Sequence, residues 1–279
     1  MWNHWVVRAS TPKEPFRNFE SARWAWSNLS NHFPNVLAAV LMPNHLHLIL
    51  PVGSERKNLR KLGGLLGAMS KREHISALWQ NIPPPSLIPD RFHLRRQLRY
   101  VALNPCRKSL CSDPLEWYWS TYREIMGATV EKWGELSRLT QVLGESEIGF
   151  RVRFHDYVSS DPSVKVSGTP PPQTVGSKKW AEEGIGEILS ASAAALRVLP
   201  SKIRERGPLR PLFIHLANRQ GWRQPLLLSQ ICGISPRAIH FILNQKIPKG
   251  IEAAALCLGD RRLRVRSWNL DQPSELLKK

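Results

Sequence analysis

His45 and His47 stand two positions apart in the run Leu41-Met42-Pro43-Asn44-His45-Leu46-His47-Leu48-Ile49-Leu50. On a strand, side chains i and i+2 point to one face. The two imidazoles would therefore project together, while Leu46 and Leu48 point into the opposite layer. Side-by-side imidazoles are the beginning of a divalent-metal site. Alone, such a pair reads more readily as a polar stripe on an exposed strand. A second set, Arg99-Tyr100-Val101-Ala102-Leu103-Asn104-Pro105-Cys106-Arg107, puts Tyr100 and Asn104 one helical turn apart on one face. Leu94, Leu98 and Ala102 make the other, apolar face. A phenol is a poor nucleophile at its ordinary pKa of about 10 and needs help from a metal or a base. Alone, Tyr100 would pack at a core edge and Asn104 would cap a helix end.

The elements that must carry these residues follow from periodicity. Residues 2–9 read as a strand. Residues 21–32 read as a helix, with Trp24, Leu29 and Phe33 near helical spacing. The apolar runs 36–42 and 45–52 flank the turn signal Pro43-Asn44 and make a β-hairpin. Residues 59–78 read as a helix. Residues 94–104 form another, which should stop at Pro105, because the residue before a proline is pushed out of the α region. Residues 116–126 predict one more. Strand, helix, hairpin, helix is the order of an α+β sandwich with one antiparallel sheet.

The bulk numbers narrow the partners. A chain of 279 residues with net charge +18 and a pI of about 10.4 is expected to meet a polyanion. No stretch approaches the roughly 18 apolar residues of a membrane span, so no membrane partner is expected. The N-terminus lacks a basic start followed by an apolar run, so no secretory signal is expected. Cys106, Cys111, Cys232 and Cys257 form no C-x-x-C pair and read as reduced thiols without zinc-site spacing. A cytoplasmic, nucleoid-associated protein with nucleic acid as its partner is the expectation.

The first half resembles the REP-associated tyrosine transposases of the single-tyrosine HUH endonuclease superfamily. The likeness is carried by Val40-Leu41-Met42-Pro43-Asn44-His45-Leu46-His47-Leu48, then by residues 99–107. Asp113-Pro114-Leu115-Glu116-Trp117-Tyr118-Trp119-Ser120-Thr121-Tyr122-Arg123 follows. It covers about residues 1–127. The resemblance implies a ferredoxin-like antiparallel sheet with helices on one face. It also implies His45 and His47 as ligands of a Mg²⁺ or Mn²⁺ ion, Asn104 as the third ligand and Tyr100 as the nucleophile. The activity implied is cleavage and strand transfer on single-stranded, hairpin-forming DNA through a 5′-phosphotyrosine. Residues 79–89 depart from the family, which often has a basic strand there, and this puts the last sheet strand in doubt. A homodimer and a monomer both stay open.

Lys71, Arg72, Arg95, Arg96, Arg99 and Arg107 are expected to meet phosphates. Arg96 lies one turn before Tyr100. Trp24, Trp26, Trp117 and Trp119 could stack on unpaired bases, although Trp117 and Trp119 read better as core.

The second half is helical in pattern and strongly basic. Between residues 197 and 266, 14 Lys/Arg face 3 Asp/Glu, a net of +11. Residues 209–245 read as helix, turn, helix. Leu212, Phe213, Leu216 and Ala217 fit one buried face; Leu226, Leu227, Leu228, Ile231 and Cys232 fit the next. Gly233-Ile234-Ser235 makes the turn, with Ser235 as N-cap and Pro236 at the first helical position. This segment resembles the DNA-binding C-terminal domain of DnaA-type replication initiators. The resemblance implies a recognition helix starting at Ser235, with Arg237, His240 and Asn244 reading duplex DNA. The expected organisation is a nuclease domain over 1–155, a Pro- and Ser-rich linker over 156–180, a helical domain over 181–266 and a tail over 267–279. An alternative of another class is a domesticated regulator that binds DNA through the helix–turn–helix without cutting it.

Overall fold

The computed structural model describes residues 1–264, apart from 11, 12, 17, 77, 167, 173 and 174. The expected tail at 267–279 lies outside the described residues. The chain divides into two compact units. One holds residues 1–125 and 133–169, the other residues 126–132 and 170–264. The expected boundary at 155 falls inside a helix of the first unit. The short stretch 126–132 belongs to the second, where the Val130 N–H bonds the Ala195 carbonyl at 2.8 Å. The Cys257 thiol bonds the Ala128 carbonyl at 3.3 Å in the same unit. Contacts that distant in sequence leave no local pattern.

The first unit opens with β1 (Trp2–Arg8), α1 (Phe19–His32), β2 (Ala38–Met42), β3 (His45–Pro51), α2 (Glu55–Arg72) and β4 (Ser86–Ile88). The four strands make one antiparallel sheet in the order β2-β3-β1-β4. Pairing Met42 with His45 leaves only Pro43-Asn44 to turn the hairpin. The short β4 supplies the strand that the sequence at 79–89 left in doubt.

Strand alternation gives the sheet two different faces. Trp5, Val7, Leu46, Leu48 and Leu50 share one and are buried. Helix α2 belongs to that side: Asn3, on the same face, donates to Glu55 Oε1 at the helix start, at 2.6 Å. Its Leu62, Leu65, Leu66 and Met69, at i, i+3, i+4 and i+7, are its buried stripe. Helix α1 packs beside it. The other face carries His4, Val6, Arg8, His45, His47 and Ile49. It is covered by α3 (Arg91–Arg107). Helices thus lie on both faces of the sheet, not on one as expected.

Helix α3 begins at Asp90, whose carboxylate accepts the His93 N–H at 2.9 Å. It continues through Pro105 to Arg107, past the stop predicted at 104. The proline sits in the last turn, where the lost N–H costs only one helical bond. Asn104, Pro105 and Cys106 are buried, and packing overrides the local preference. The helix predicted over 116–126 is also broken. A 3₁₀ turn at Pro114–Glu116 leads to an extended stretch, and only then to α4 (Thr121–Ile125). Trp117, Tyr118 and Trp119 are successive and all buried, which no single helix face allows. The stretch runs along the edge of β2, where the Leu41 N–H bonds the Trp119 carbonyl at 2.9 Å. Helices α5 (Leu136–Leu143) and α6 (Phe150–Ser159) complete the unit and pack on α3.

The second unit is all helical: α7 (Ile185–Leu196), α8 (Leu209–Arg219), α9 (Pro225–Cys232), α10 (Pro236–Leu243) and α11 (Ile251–Gly259). Leu212, Phe213, Leu216 and Ala217 are buried as expected; on α9, Leu228 and Cys232 are buried but Leu226 is exposed. Helices α9 and α10 are bent by 103° to each other. Gly233 (φ 63°) takes the left-handed turn between them, and Ser235 caps α10 by accepting the Ala238 N–H at 3.2 Å. Among the described residues no single helix is long and apolar enough to cross a membrane.

Candidate active site and basic helix face

The register of β1 on β3, with α3 laid over them, gathers His4, His45, His47, Tyr100 and Asn104. His45 Nδ1–H donates to the Asn44 side-chain oxygen at 2.7 Å. Its Nε2 then presents a lone pair to Asn104 Oδ1 at 3.3 Å. His47 Nδ1 is 3.0 Å from Nε2 of His4. Nε2 of His47 is buried and, among the described residues, has no hydrogen-bond partner. The ring of Tyr100 lies 5.7 Å from that of His47 and 6.1 Å from that of His4, edge to face in both cases. Among the described residues the Tyr100 hydroxyl takes no hydrogen bond, and the Arg107 guanidinium lies over its ring at 5.0 Å.

Burial sets the charge state. It holds His4 down to about 4. Burial likewise brings His45 to about 4; the Asn104 contact pulls upward, while Arg8 and Lys108 push further down. Burial, then His4, His45 and Arg8, hold His47 well below its ordinary value. All three imidazoles are neutral near pH 7, the form that offers a lone pair to a cation.

The donors fit a divalent ion. Two acceptors that face each other at 3.3 Å repel unless a cation lies between them. Two adjacent ligands of an octahedral Mg²⁺, each about 2.1 Å away, stand about 3 Å apart. Beside them is the orphaned Nε2 of His47. Among the described residues no group of three or more His, Cys, Asp or Glu forms a metal site. The third protein donor here would have to be the Asn104 amide.

The basic residues are treated unequally. Arg99 and Arg107 share one carboxylate, Asp161, at 3.1 and 2.9 Å. Burial pushes that carboxyl up, but hydrogen bonds from Ser163 and the two guanidiniums outweigh it and hold the pKa down. Arg95 pairs with Glu145 at 3.0 Å, and Arg95 and Arg99 both lie over the Tyr157 ring. Arg96 is exposed and, among the described residues, has no carboxylate partner. Lys71 and Arg72 end α2, which lies against the opposite sheet face, so neither joins the histidine cluster; Arg72 lies over Trp24 at 5.5 Å. Trp26, Trp117 and Trp119 are buried and unavailable for stacking on bases; Trp24 is half-buried.

His4 and Asp161 were not singled out from the sequence. Alternation on β1 placed His4 on a face with Val6 and Arg8, but only the strand register brings it to His47. Asp161 stands beyond α6, and only the fold returns it to α3.

On the second unit, Arg237, His240, Phe241 and Asn244 line α10 at i, i+3, i+4 and i+7, and all four are exposed; Ser235, the N-cap, is exposed beside them. Ile239 is the buried residue of this helix. Phe241 is 66% exposed.

No protein-family model matches the chain, and no curated protein matches it. Among solved structures, the chain is similar to a REP-associated tyrosine transposase bound to a REP hairpin. The identity is 17% and the TM-score 0.38, over 44% of this chain and 77% of that one.

Proposed function

We propose that the chain is a metal-dependent single-stranded DNA endonuclease and strand transferase, with Tyr100 as nucleophile and His45, His47 and Asn104 as the protein ligands of a Mg²⁺ or Mn²⁺ ion. One observation supports this above the others. The lone pair of His45 faces the Asn104 amide oxygen at 3.3 Å, next to the partnerless Nε2 of His47 and the ring of Tyr100. None of this is needed to bind DNA.

A bound divalent ion supplies Lewis acidity at the scissile phosphate and helps orient it. The chain supplies the rest. Tyr100 Oη attacks phosphorus, and the bond from phosphorus to the 3′ oxygen breaks. Oη loses its proton and the departing 3′ oxygen gains one. The products are a 5′-phosphotyrosine and a free 3′-hydroxyl. A second 3′-hydroxyl can reverse the step, so strand transfer needs no nucleotide hydrolysis. Arg107 holds the Tyr100 ring from one side. Arg96, exposed one turn earlier, is free to meet a phosphate. The neutral histidines keep their lone pairs for the cation.

Hairpin-forming single strands are the substrate this reading favours. The exposed stripe on α10 supports duplex binding by the second unit, in the manner of a recognition helix. That stripe also suits the second reading, a regulator that binds without cutting. One experiment separates them. The chain is incubated with a pool of hairpin-forming oligonucleotides and Mg²⁺ or Mn²⁺, and products are run on a denaturing gel. Protein joined covalently to the 5′ phosphate of the downstream fragment is expected, with a free 3′-hydroxyl on the other. Retention without any adduct would sink the enzyme reading and leave the regulator.

A further inference from the structure

We infer that His4 is a positioning residue: it holds His47 in the Nδ1–H tautomer, so that the Nε2 lone pair of His47 is turned into the candidate metal site. The inference rests on the metal-site reading for its purpose, but not for its geometry.

The strand register explains the contact. Val6 lies directly across from His47 and His4 across from Ile49, so His4 is the diagonal neighbour of His47 on one sheet face. Their rings stack, with centroids 5.1 Å apart and 21° between planes. Nε2 of His4 and Nδ1 of His47 are 3.0 Å apart, and one proton lies between them. Two arrangements are open to a neutral pair. If the proton sits on His4, His47 must carry its own hydrogen on Nε2, in a buried place with no acceptor. If it sits on His47 Nδ1 and is donated to His4, Nε2 of His47 bears a lone pair instead, the form a metal ligand requires. The second arrangement leaves no N–H on the buried Nε2 of His47 and puts the hydrogen of His4 on its own Nδ1, which is not among the buried atoms without a partner.

His4 is not itself a ligand through Nε2, because that atom is committed to His47. Its ring also meets the Tyr100 ring edge to face at 6.1 Å, so one side chain braces both the ligand and the nucleophile. Outer partners of metal-binding histidines act in this way, and their loss lowers metal affinity or activity by roughly 10–100-fold.

The test uses the full chain, labelled with ¹⁵N-histidine, and two measurements. The first is the His47 tautomer in metal-free protein by ¹⁵N–¹H correlation, the signal being identified by its loss in His47→Gln. The second is Mn²⁺ affinity by calorimetry. Wild type is expected to show the Nδ1–H form. His4→Gln, whose side-chain carbonyl can accept the same hydrogen, is expected to keep that form and nearly the wild-type affinity. His4→Ala is expected to show mixed tautomers and roughly 10–100-fold weaker Mn²⁺ binding. An Nε2–H form in wild type, or a His4→Gln variant that keeps its thermal unfolding profile but behaves like His4→Ala, would overturn the inference. Wild type with the Nδ1–H form but no Mn²⁺ binding would uphold the tautomer and bring down the metal-site reading instead.

Discussion

The two candidate functional regions of this chain are built on opposite principles. The His45–His47–Asn104–Tyr100 cluster lies between a sheet and a helix. Its histidines are buried and neutral, and the arginines nearest Tyr100 are tied to Asp161. The outer face of α10 is open to solvent and belongs to a segment with a net charge of +11. The contrast follows what each task demands. A site that must hold a metal and aim a nucleophile gains from dehydration and fixed side chains, since fields are stronger there and nothing has to reorganise. A surface that must find and read a long polyanion gains from exposure and charge. Changes in the first region should therefore act on chemistry and leave DNA retention alone, and changes in the second should do the reverse.

The largest effect is expected at Tyr100. Tyr100→Phe should reduce covalent adduct formation by more than roughly a thousandfold while duplex and hairpin retention stay at the wild-type level. Wild-type adduct yield from this variant, read on a denaturing gel, would remove Tyr100 from the chemistry and dissolve the contrast.

His45→Ala and His47→Ala come next. Each should lower Mn²⁺-dependent cleavage by more than roughly a hundredfold, with DNA affinity by fluorescence anisotropy unchanged. Equal losses of cleavage and affinity would mean that the two regions are not separable.

Acid should unfold the first unit preferentially. His4 and His45 titrate at about 4 in the fold, against about 6.5 in an unfolded chain. Between those values the unfolded chain binds more protons, so stability rises with pH. It is full above pH 7 and is lost as the pH falls, by about 2 kcal/mol for each of these two histidines at pH 5. Urea unfolding followed through tryptophan fluorescence at pH 7.5 and pH 5 measures the difference. Equal midpoints would contradict neutral burial.

The smallest effect belongs to the open face. Arg237→Ala should weaken duplex binding by about 1–3 kcal/mol and leave cleavage of a short hairpin unchanged. If hairpin cleavage fell in step with duplex binding, α10 would belong to the cutting apparatus rather than to target delivery.

Much of this was legible in the residues. Alternation placed His45 and His47 on one face of a strand, with Leu46 and Leu48 on the other, because a pleated strand leaves no choice. Helical spacing put Tyr100 and Asn104 together for the same kind of reason. Pro43-Asn44 marked the hairpin, and Gly233, Ser235 and Pro236 marked the bend and start of α10, since each residue type fits few backbone states. Where local preference met burial, burial won. Pro105 did not end α3, because Asn104, Pro105 and Cys106 are buried in its last turn. Trp117 to Trp119 left the predicted helix, because three successive large rings cannot share one side of it.

What the sequence determined by itself was thus a set of faces: which side chains travel together on each strand and helix. Which face meets which was decided only in three dimensions. The register of β1 against β3 carries His4 to His47, the crossing of α3 over the sheet brings Asn104 to His45, and the return of the chain after α6 sets Asp161 between Arg99 and Arg107. Those meetings span tens of residues and depend on packing, which periodicity within one element does not encode.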